Sequence, residues 1–332
     1  MAYDLTNRLV IGLASTALFD LSDSDKVFRE QGTQAYRHYQ RQMQSMPLQK
    51  GVAFAFIEKL LSINQINPED PPIEVILLSK NDPDTGFRVM NSIEYHNLNI
   101  SRALFLEGRY PHKYINALSI DLFLSSNQDD VQKAINEGFA AGHVLKSHIT
   151  DNKNDDELRV ALDFDGVLAD DSAEKIFADK GLDGFHEYEE LHQDTAHNPG
   201  PLAHFLKKLS DIQIQEEAFA SQNNDYTPKL RISIVTARGA PSHKRVIHTI
   251  RQWGVHINEA FFLGGVSKRE ILKALNPQIF FDDQKYIWTI PLISYHQYTF
   301  LLELEILIQH QSTSTVIRVM MNNAHGSVQL LH

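Results

Sequence analysis

The sequence predicts an α/β protein built on a mostly parallel β-sheet, and three observations lead to this prediction. Short apolar runs, typical of buried strands, alternate along the chain with segments of helical periodicity. Several of these runs end at polar residues or glycine, as strands do where a parallel sheet exposes its carboxyl ends. The same alternation occurs before and after a polar segment at residues 151–157. We therefore expect two α/β units, residues 1–150 and residues 151–332.

The first unit contains four apolar runs that we interpret as strands. They lie at residues 8–19, where the strand runs into a turn of small residues, and at 73–79, 103–108 and 120–125. Helical spacing of apolar residues predicts helices at 21–44, 51–61, 88–98, 110–118 and 131–145. The segment 67–72, which contains three prolines, is expected to break the chain between two of these elements.

The second unit repeats this pattern. Strands are expected at residues 160–165, 230–238, 260–265 and 278–283, and helices at 201–209, 244–254 and 268–275. The C-terminal segment, residues 289–332, has the pattern of an apolar helix followed by a strand-like run at 316–321, and the sequence assigns it no role.

The two units also match residue by residue. A shift of 157 positions aligns residues 88–127 with residues 245–284 without a gap, and it pairs Arg88 with Arg245 and Gly108 with Gly265. With a slightly different shift, LASTALFD aligns with DFDGVLAD. Chance agreement between two α/β segments would explain the apolar matches, but it explains the arginine and glycine pairs poorly. We interpret the match as an internal duplication, which requires the same strand order in both halves.

Composition restricts the class of protein. The formal charge of −11 argues against a protein that binds nucleic acid polymers. The chain has no cysteine, which excludes disulfides and cysteine-bound zinc. The N-terminus lacks a basic segment and a cleavage signal, and its apolar run is too short for a membrane span. We expect a cytoplasmic protein without membrane association, and the sequence leaves open a homo-oligomer.

Polar side chains stand at four strand ends or helix starts of the second unit. They are Asp163 and Asp165, Thr236, Lys268, and Asp282 with Asp283. The corresponding positions of the first unit hold Leu13, Ser15, Ser79, Pro111, Ser125 and Ser126. The first unit therefore has the pattern of a catalytically silent copy.

Together these groups suit phosphoryl transfer. A carboxylate at Asp163 can attack phosphorus, and Asp165 can protonate the leaving alkoxide. Thr236 and Lys268 can contact phosphate oxygens, and Asp282 with Asp283 supplies the oxygen ligands that Mg²⁺ prefers. Each signal alone has an ordinary structural explanation, such as a turn, a helix cap or a surface lysine. Their occurrence in this order favours a catalytic site.

These motifs resemble those of a known superfamily. DFDGV, IVTAR, the lysine of GGVSKREIL, and FFDD are similar to the four motifs of the haloacid dehalogenase (HAD) phosphohydrolases. SKNDPDTGFRVMNSI, ALFLEGRYPHKYINAL and the second-half segments resemble the cytosolic 5′-nucleotidase I family across residues 8–287. One departure is the first motif, which in that family reads roughly DGDAV. The common superfamily form found here keeps both aspartates.

The resemblance implies a HAD-like Rossmannoid sheet with a small cap insertion at about residues 171–229. It implies Mg²⁺-dependent hydrolysis of nucleoside 5′-monophosphates, of AMP or IMP type, through an aspartyl-phosphate. The roles that it implies are a nucleophile at Asp163, an acid/base group at Asp165, phosphate contacts from Thr236, Ala237 and Lys268, and metal ligands from Asp163, Asp165, Asp282 and Asp283. Two alternatives stay open: a HAD phosphatase for another small phosphate ester, and a nucleotide-binding regulator without turnover.

The expected cap segment leaves two questions open. The spacing of His192, Asp194 and His197 allows a metal cluster, although surface or helix-capping roles are the simpler interpretation. Phe185, Tyr188 and Phe205 could stack on a nucleobase or pack in the core.

The first unit raises a further question. Asn81, Asp82, Arg88 and Asn91 are rich in hydrogen-bonding groups for a silent copy. They are either loop and helix-cap residues or, together with Arg238, contacts for a nucleotide or an effector.

Overall fold

The computed structural model describes residues 3–150, 155–283 and 317–323. In these residues the strands are β1 (Leu9–Leu13), β2 (Phe19–Asp20), β3 (Gln49–Lys50), β4 (Ile73–Ser79), β5 (Arg102–Phe105), β6 (Leu122–Ser125), β7 (Ala141–Thr150), β8 (Leu158–Leu162), β9 (Leu230–Thr236), β10 (Glu259–Phe262), β11 (Ile279–Asp282) and β12 (Ile317–Asn323). The helices are α1 (Ser15–Leu18), α2 (Ser22–Gln42), α3 (Phe54–Ser62), α4 (Pro83–Tyr95), α5 (Gln128–Asn136), α6 (Ser172–Leu191), α7 (Ala203–Ala220), α8 (His243–Trp253) and α9 (Lys268–Leu275).

Within the described ranges, ten strands form one sheet in the order β10-β9-β8-β11-β12-β7-β6-β1-β4-β5. Neighbouring strands run parallel, as in the pairs β1–β4 and β8–β9, except for the antiparallel pair β11–β12. Strands β2 and β3 form a separate antiparallel pair. The predicted α/β class with a mostly parallel sheet is confirmed, and it is consistent with a Rossmann-like HAD fold.

The strand order is the same in the two halves of the sheet. From the outer edge inward it reads β5-β4-β1-β6-β7 in the first half and β10-β9-β8-β11-β12 in the second. The last strands differ in direction, because β7 is parallel to β6 whereas β12 is antiparallel to β11. The order is the one that a duplication requires. The division at residue 151 stays a prediction, since the strands of both units share one sheet.

Several predicted elements differ from the structure; the helix predicted at 201–209, for example, continues to Ala220 as α7. The predicted helix at 131–145 is wrong in its second part, because α5 ends before Gly138 and the chain continues as β7. Two short 3-10 turns, Pro111–Tyr114 and Asn116–Leu118, replace the helix expected at 110–118. The strand expected at 8–19 ends at Leu13. At the C-terminus β12 confirms the strand-like run, and the helix expected before it lies outside the described residues.

The core spans both halves of the sheet. One large cluster of buried apolar side chains contains residues of β1, β4, α3 and also of β8, α7 and β11. Smaller clusters cover the opposite face, around Phe123 in one half and Phe280 in the other. The central strands are buried on both faces, so most of their side chains are apolar. Glu74 of β4 is a buried exception that pairs with Arg102.

Candidate active site

The catalytic residues predicted from the sequence meet at the carboxyl ends of three adjacent strands. Asp163 follows β8, Thr236 ends β9 and Asp282 ends β11. Strand β8 is parallel to both neighbours, so these three ends lie at the same edge of the sheet. Lys268 enters this edge from the first position of α9.

Lys268 contacts two carboxylates at this edge. Its Nζ lies 2.5 Å from Asp163 Oδ2 and 3.3 Å from Asp282 Oδ2. The other oxygen of Asp163, Oδ1, accepts a hydrogen bond of 2.7 Å from the Phe164 amide. All three charged residues are at least 95% buried. The ammonium group therefore bridges the proposed nucleophile and the proposed metal carboxylate.

Burial and like charge dominate the electrostatics of this cluster. Burial raises the pKa of Asp163 to about 7, with Asp282 and Asp165 adding to the rise and Lys268 opposing it. For Lys268, burial alone would lower the pKa, but Asp163 and Asp282 more than offset it and the pKa is raised. One lysine does not neutralise the carboxylates gathered here, so the edge favours additional positive charge.

Three of these carboxylates fit a divalent cation. Oxygen atoms of Asp163, Asp282 and Asp283 lie within 4.8 Å of one another. Gly166 makes room for this group: its φ is +67°, and a Cβ there would lie 2.4 Å from Asp283 Oδ2. Hard carboxylate oxygens at one edge suit Mg²⁺. The residues present therefore fit the predicted metal.

Asp165 lies apart from the three carboxylates and is held by Arg238. Arg238 Nε donates to Asp165 Oδ2 and Nη2 donates to Oδ1, each at 2.7 Å, which is a two-pronged pair. Arg238 itself is 5% exposed. The structure thus brings Arg238 to the proposed acid/base group, and its predicted contact with nucleotide stays a prediction.

The sequence analysis did not identify the residues that hold Arg238 in place. Arg238 Nη1 donates to Glu189 Oε2, and Arg245 Nη1 donates to Glu189 Oε1 at 2.8 Å. Burial alone would raise the pKa of Glu189, but His197 and Arg238 lower it to about 2. Glu189 belongs to α6, inside the segment predicted to be a cap, and it is fully buried. A local motif cannot reveal this group, because its partners are 49 and 56 residues away.

The two other predicted phosphate contacts are Thr236, at the end of β9, and Ala237, which follows it. Thr236 is buried, and its Oγ1 accepts a hydrogen bond of 3.2 Å from the Arg238 amide. Ala237 is exposed, and its carbonyl accepts from Gly265 N at 3.0 Å. Strand β9 pairs with β8 in parallel, so both residues lie at the same edge of the sheet as Asp163, and their contact with phosphate stays a prediction.

The polar residues singled out in the first unit hold α2 and the loop after it. Tyr36 donates to Asn81 Oδ1 at 3.0 Å, and Asp82 caps α4 through the Thr85 amide. Arg88 donates to the Met46 carbonyl and to Gln40 Oε1, and Asn91 donates to the Gln44 carbonyl. Their role towards a nucleotide or effector stays a prediction.

The histidine cluster considered for the cap segment is not formed. Among the described residues, Asp163, Asp282 and Asp283 make up the sole group of three or more side chains arranged to hold a metal. His192 Nδ1 instead lies 2.7 Å from the Tyr188 carbonyl. Phe205 packs on Phe281 in the core, which confirms the packing alternative for that ring.

The sheet order and the carboxylate edge define a class, that of α/β proteins with a Rossmann-like HAD fold and an acidic site at the strand ends. Comparison with known proteins gives the family. The family model for 5′-nucleotidase matches residues 1–289. Human cytosolic 5′-nucleotidase 1B is 34% identical over 286 residues, which are 84% of this chain and 46% of that protein. The chain belongs to the 5′-nucleotidase family, and it spans about half the length of the curated relative that it matches.

The described helices were also compared with the length and hydropathy that a bilayer requires. None of them is long and apolar enough to cross a membrane.

Proposed function

We propose that this chain hydrolyses nucleoside 5′-monophosphates, of AMP or IMP type, to nucleoside and phosphate. Its membership of the 5′-nucleotidase family supports the substrate class. The single observation that carries the proposal is the contact of Lys268 with Asp163 and Asp282 at the carboxyl ends of β8 and β11. The residues proposed as nucleophile, phosphate-binding cation and metal carboxylate therefore share one edge of the sheet.

In the first step, an Asp163 oxygen attacks phosphorus and the bond between phosphorus and the 5′ oxygen breaks. Asp165 gives its proton to the departing 5′ oxygen, which leaves as the nucleoside hydroxyl. Lys268 offsets the negative charge of the phosphate oxygens, and Thr236 and Ala237 supply hydrogen-bond donors to them.

In the second step, water attacks phosphorus of the aspartyl-phosphate, and Asp165 takes the proton of that water. The bond between phosphorus and Asp163 breaks, which releases phosphate and restores both aspartates. Asp163, Asp282 and Asp283 are the residues that would hold Mg²⁺, with Asp165 adding its backbone carbonyl. The cation, when bound, supplies positive charge against the phosphate oxygens.

The location of the protein, its oligomeric state and two rival functions also belong to the proposal. The name of the human relative supports a cytosolic location and a small-molecule substrate. A homo-oligomer stays a prediction that light scattering would check. Hydrolysis of another phosphate ester remains the rival within the same chemistry, and a regulator without turnover is the rival outside it.

Phosphate release from a panel of nucleoside monophosphates and sugar phosphates tests the proposal. We expect release from nucleotides in the presence of Mg²⁺, loss of release with a chelator, and recovery when Mg²⁺ is restored. Asp163→Asn should lower the rate at least about 10³-fold, because the amide cannot act as nucleophile, while calorimetry still detects nucleotide binding.

Asp23→Asn provides the matched control, because it makes the same chemical change at an exposed position of α2. Its rate should equal that of the unmodified chain. An unchanged rate in Asp163→Asn would overturn the nucleophile assignment, and a preference for sugar phosphates would favour the rival ester.

A further inference from the structure

The two halves of the chain hold an arginine in the same way but with different acceptors. Arg245 Nε donates to the Thr195 carbonyl at 2.9 Å, and its Nη1 donates to Glu189 Oε1 at 2.8 Å. In the first half, Arg88 Nε donates to the Met46 carbonyl at 2.9 Å, and its Nη1 donates to Gln40 Oε1 at 3.2 Å. A carboxylate and an amide therefore serve the same structural contact.

Further hydrogen bonds establish that these positions correspond. The Leu48 amide donates to Ser92 Oγ, which donates to the Arg88 carbonyl. The His197 amide donates to Thr249 Oγ1, which donates to the Arg245 carbonyl. The chain thus contains its own comparison for Glu189, in a half where the catalytic carboxylates are absent.

This comparison separates two roles of Glu189. Because neutral Gln40 suffices to hold Arg88 and the end of α2, the contact with Arg245 does not require a negative charge. The second arginine is what differs. Arg238 corresponds to Asn81, since both backbone amides donate to the hydroxyl at the end of the preceding strand, Thr236 in one half and Ser79 in the other. The acidic residue and the second arginine therefore occur together, in the half that carries the acidic site.

The geometry shows what this pair does. The guanidinium of Arg238 uses Nε and Nη2 on Asp165 and Nη1 on Glu189. Glu189 is itself anchored at its other oxygen by Arg245 of α8. A buried guanidinium with carboxylates on two sides has its orientation fixed, and with it the orientation of Asp165.

We propose that Glu189 is a positioning residue that acts through Arg238 to orient Asp165 for proton transfer. This inference rests on the proposed function, because it assigns Asp165 the acid/base role. Helix α6 thereby helps to align Asp165 for the reaction, although no atom of Glu189 touches the reacting groups.

The test is Glu189→Gln, which introduces the side chain that already supports Arg88 in the first half. We expect the kcat for a nucleoside monophosphate to fall about 10-fold or more with KM within about twofold, because proton transfer depends on alignment. With p-nitrophenyl phosphate, whose leaving group needs no proton, the loss in the first step should be much smaller. The second step is common to both substrates, so the comparison is made on the first step, from the leaving group released in a single turnover. Equal first-step losses on both substrates would mean a merely structural role and would overturn the proposal.

A double-mutant cycle with Arg238→Asn tests the route of the effect. If Glu189 acts through Arg238, adding Glu189→Gln to Arg238→Asn should cause little further loss of kcat. Losses that multiply would show an independent action and would also overturn the proposal. Should Glu189→Gln fail to fold, Arg238→Asn alone decides: a first-step loss confined to the nucleotide supports the proposal, and an equal first-step loss on both substrates contradicts it.

Gln40→Met is the matched control, because it removes the corresponding contact from the first half. It should leave kcat unchanged on both substrates. A wild-type chain that releases no phosphate from any nucleotide would refute the proposed function. An active wild-type chain with an equally active Glu189→Gln variant would refute only the positioning role.

Discussion

At the scale of single residues, the imidazole of His197 lies buried among charged side chains of this site. It is 2% exposed, its Nε2 lies 3.4 Å from Glu189 Oε2, and its ring packs on Phe164. Burial is the main cause that lowers its pKa, the positive charges of Arg238 and Arg245 add to this, and Glu189 opposes it. A fourth charged group, Asp170 at the end of the loop after β8, interacts with the imidazole as well. The net result is a pKa below the ordinary value.

This shift predicts a loss of stability in mild acid. The unfolded chain takes up a proton at His197 as the pH falls below about 6.5, whereas the folded chain resists it. The contribution is therefore complete above about pH 6.5 and is lost as the pH falls towards the lower pKa of the folded state. The variant His197→Leu introduces leucine, the residue at the corresponding position of the first half, Leu48. It should reduce the loss of stability in acid by up to about 1.4 kcal/mol for each pH unit.

Urea unfolding at pH 7.5 and pH 5.5 measures the effect. His38→Leu, at an exposed position of α2, is the control and should keep the pH dependence of the unmodified chain. The same pH dependence in His197→Leu as in the unmodified chain would contradict the prediction.

The sequence predicted those site residues that have a local signal. Asp163, Thr236 and Asp282 could be found because each marks the point where an apolar strand ends. Glu189 and Arg245 could not be found that way, since each lies on a helix whose apolar periodicity says nothing of a buried ion pair. A comparison of α2 with α6 at a shift of 149 positions would have paired Gln40 with Glu189. An acidic residue of α6 aligned with a neutral residue of α2 is the signal that could have revealed Glu189.

At the scale of the element, α2 and α6 share a break at a glycine. Gly32 has φ 80° and ψ −176°, and Gly181 has φ 67° and ψ −170°. Other residues adopt this backbone conformation only at a cost, because their Cβ clashes with the backbone. The break in α6 sets the direction of its second part, which carries Glu189.

Gly181→Ala should therefore lower both stability and activity. We expect a loss of about 1–3 kcal/mol in the free energy of unfolding from the backbone conformation. Phosphate release should also fall, because the second part of α6 can relieve the strain only by moving Glu189. Gly32→Ala makes the same change in α2 and should cost a similar free energy without changing kcat. Equal activity in the two variants would separate the helix break from the site.

How well a helix or strand could be predicted from the sequence depends on how that element is buried. The strand at 73–79 was predicted with its observed bounds, because both of its faces are buried and all its residues except Glu74 and Ser79 are apolar. The helix predicted at 131–145 continued too far, because alanine, valine and leucine in the run 140–145 suit a helix and a buried strand equally. Only the positive φ of Gly138, 83°, marks the boundary.

For the whole molecule, the two halves are joined more closely than a linker at 151–157 suggests. Strand β12 pairs with β7 of the first half and with β11 of the second. Helix α3 of the first half lies beside β8, and α7 of the second half lies beside β1. Lys208 of α7 donates to the carbonyls of Thr6 and Arg8. One apolar cluster continues through these contacts, so the halves share a core.

A shared core predicts one cooperative unfolding transition. Leu60 of α3 is fully buried in the common cluster, and Leu60→Ala should lower the free energy of unfolding by about 2–5 kcal/mol. Because the cluster includes Leu209 of α7, the loss should reach the second half, and Leu209→Ala provides the comparison. Both variants should show a single calorimetric transition, and thermal loss of phosphate release should move to lower temperature with it. Two transitions, with the temperature of inactivation unchanged in Leu60→Ala, would instead mean that the first half folds as an independent domain.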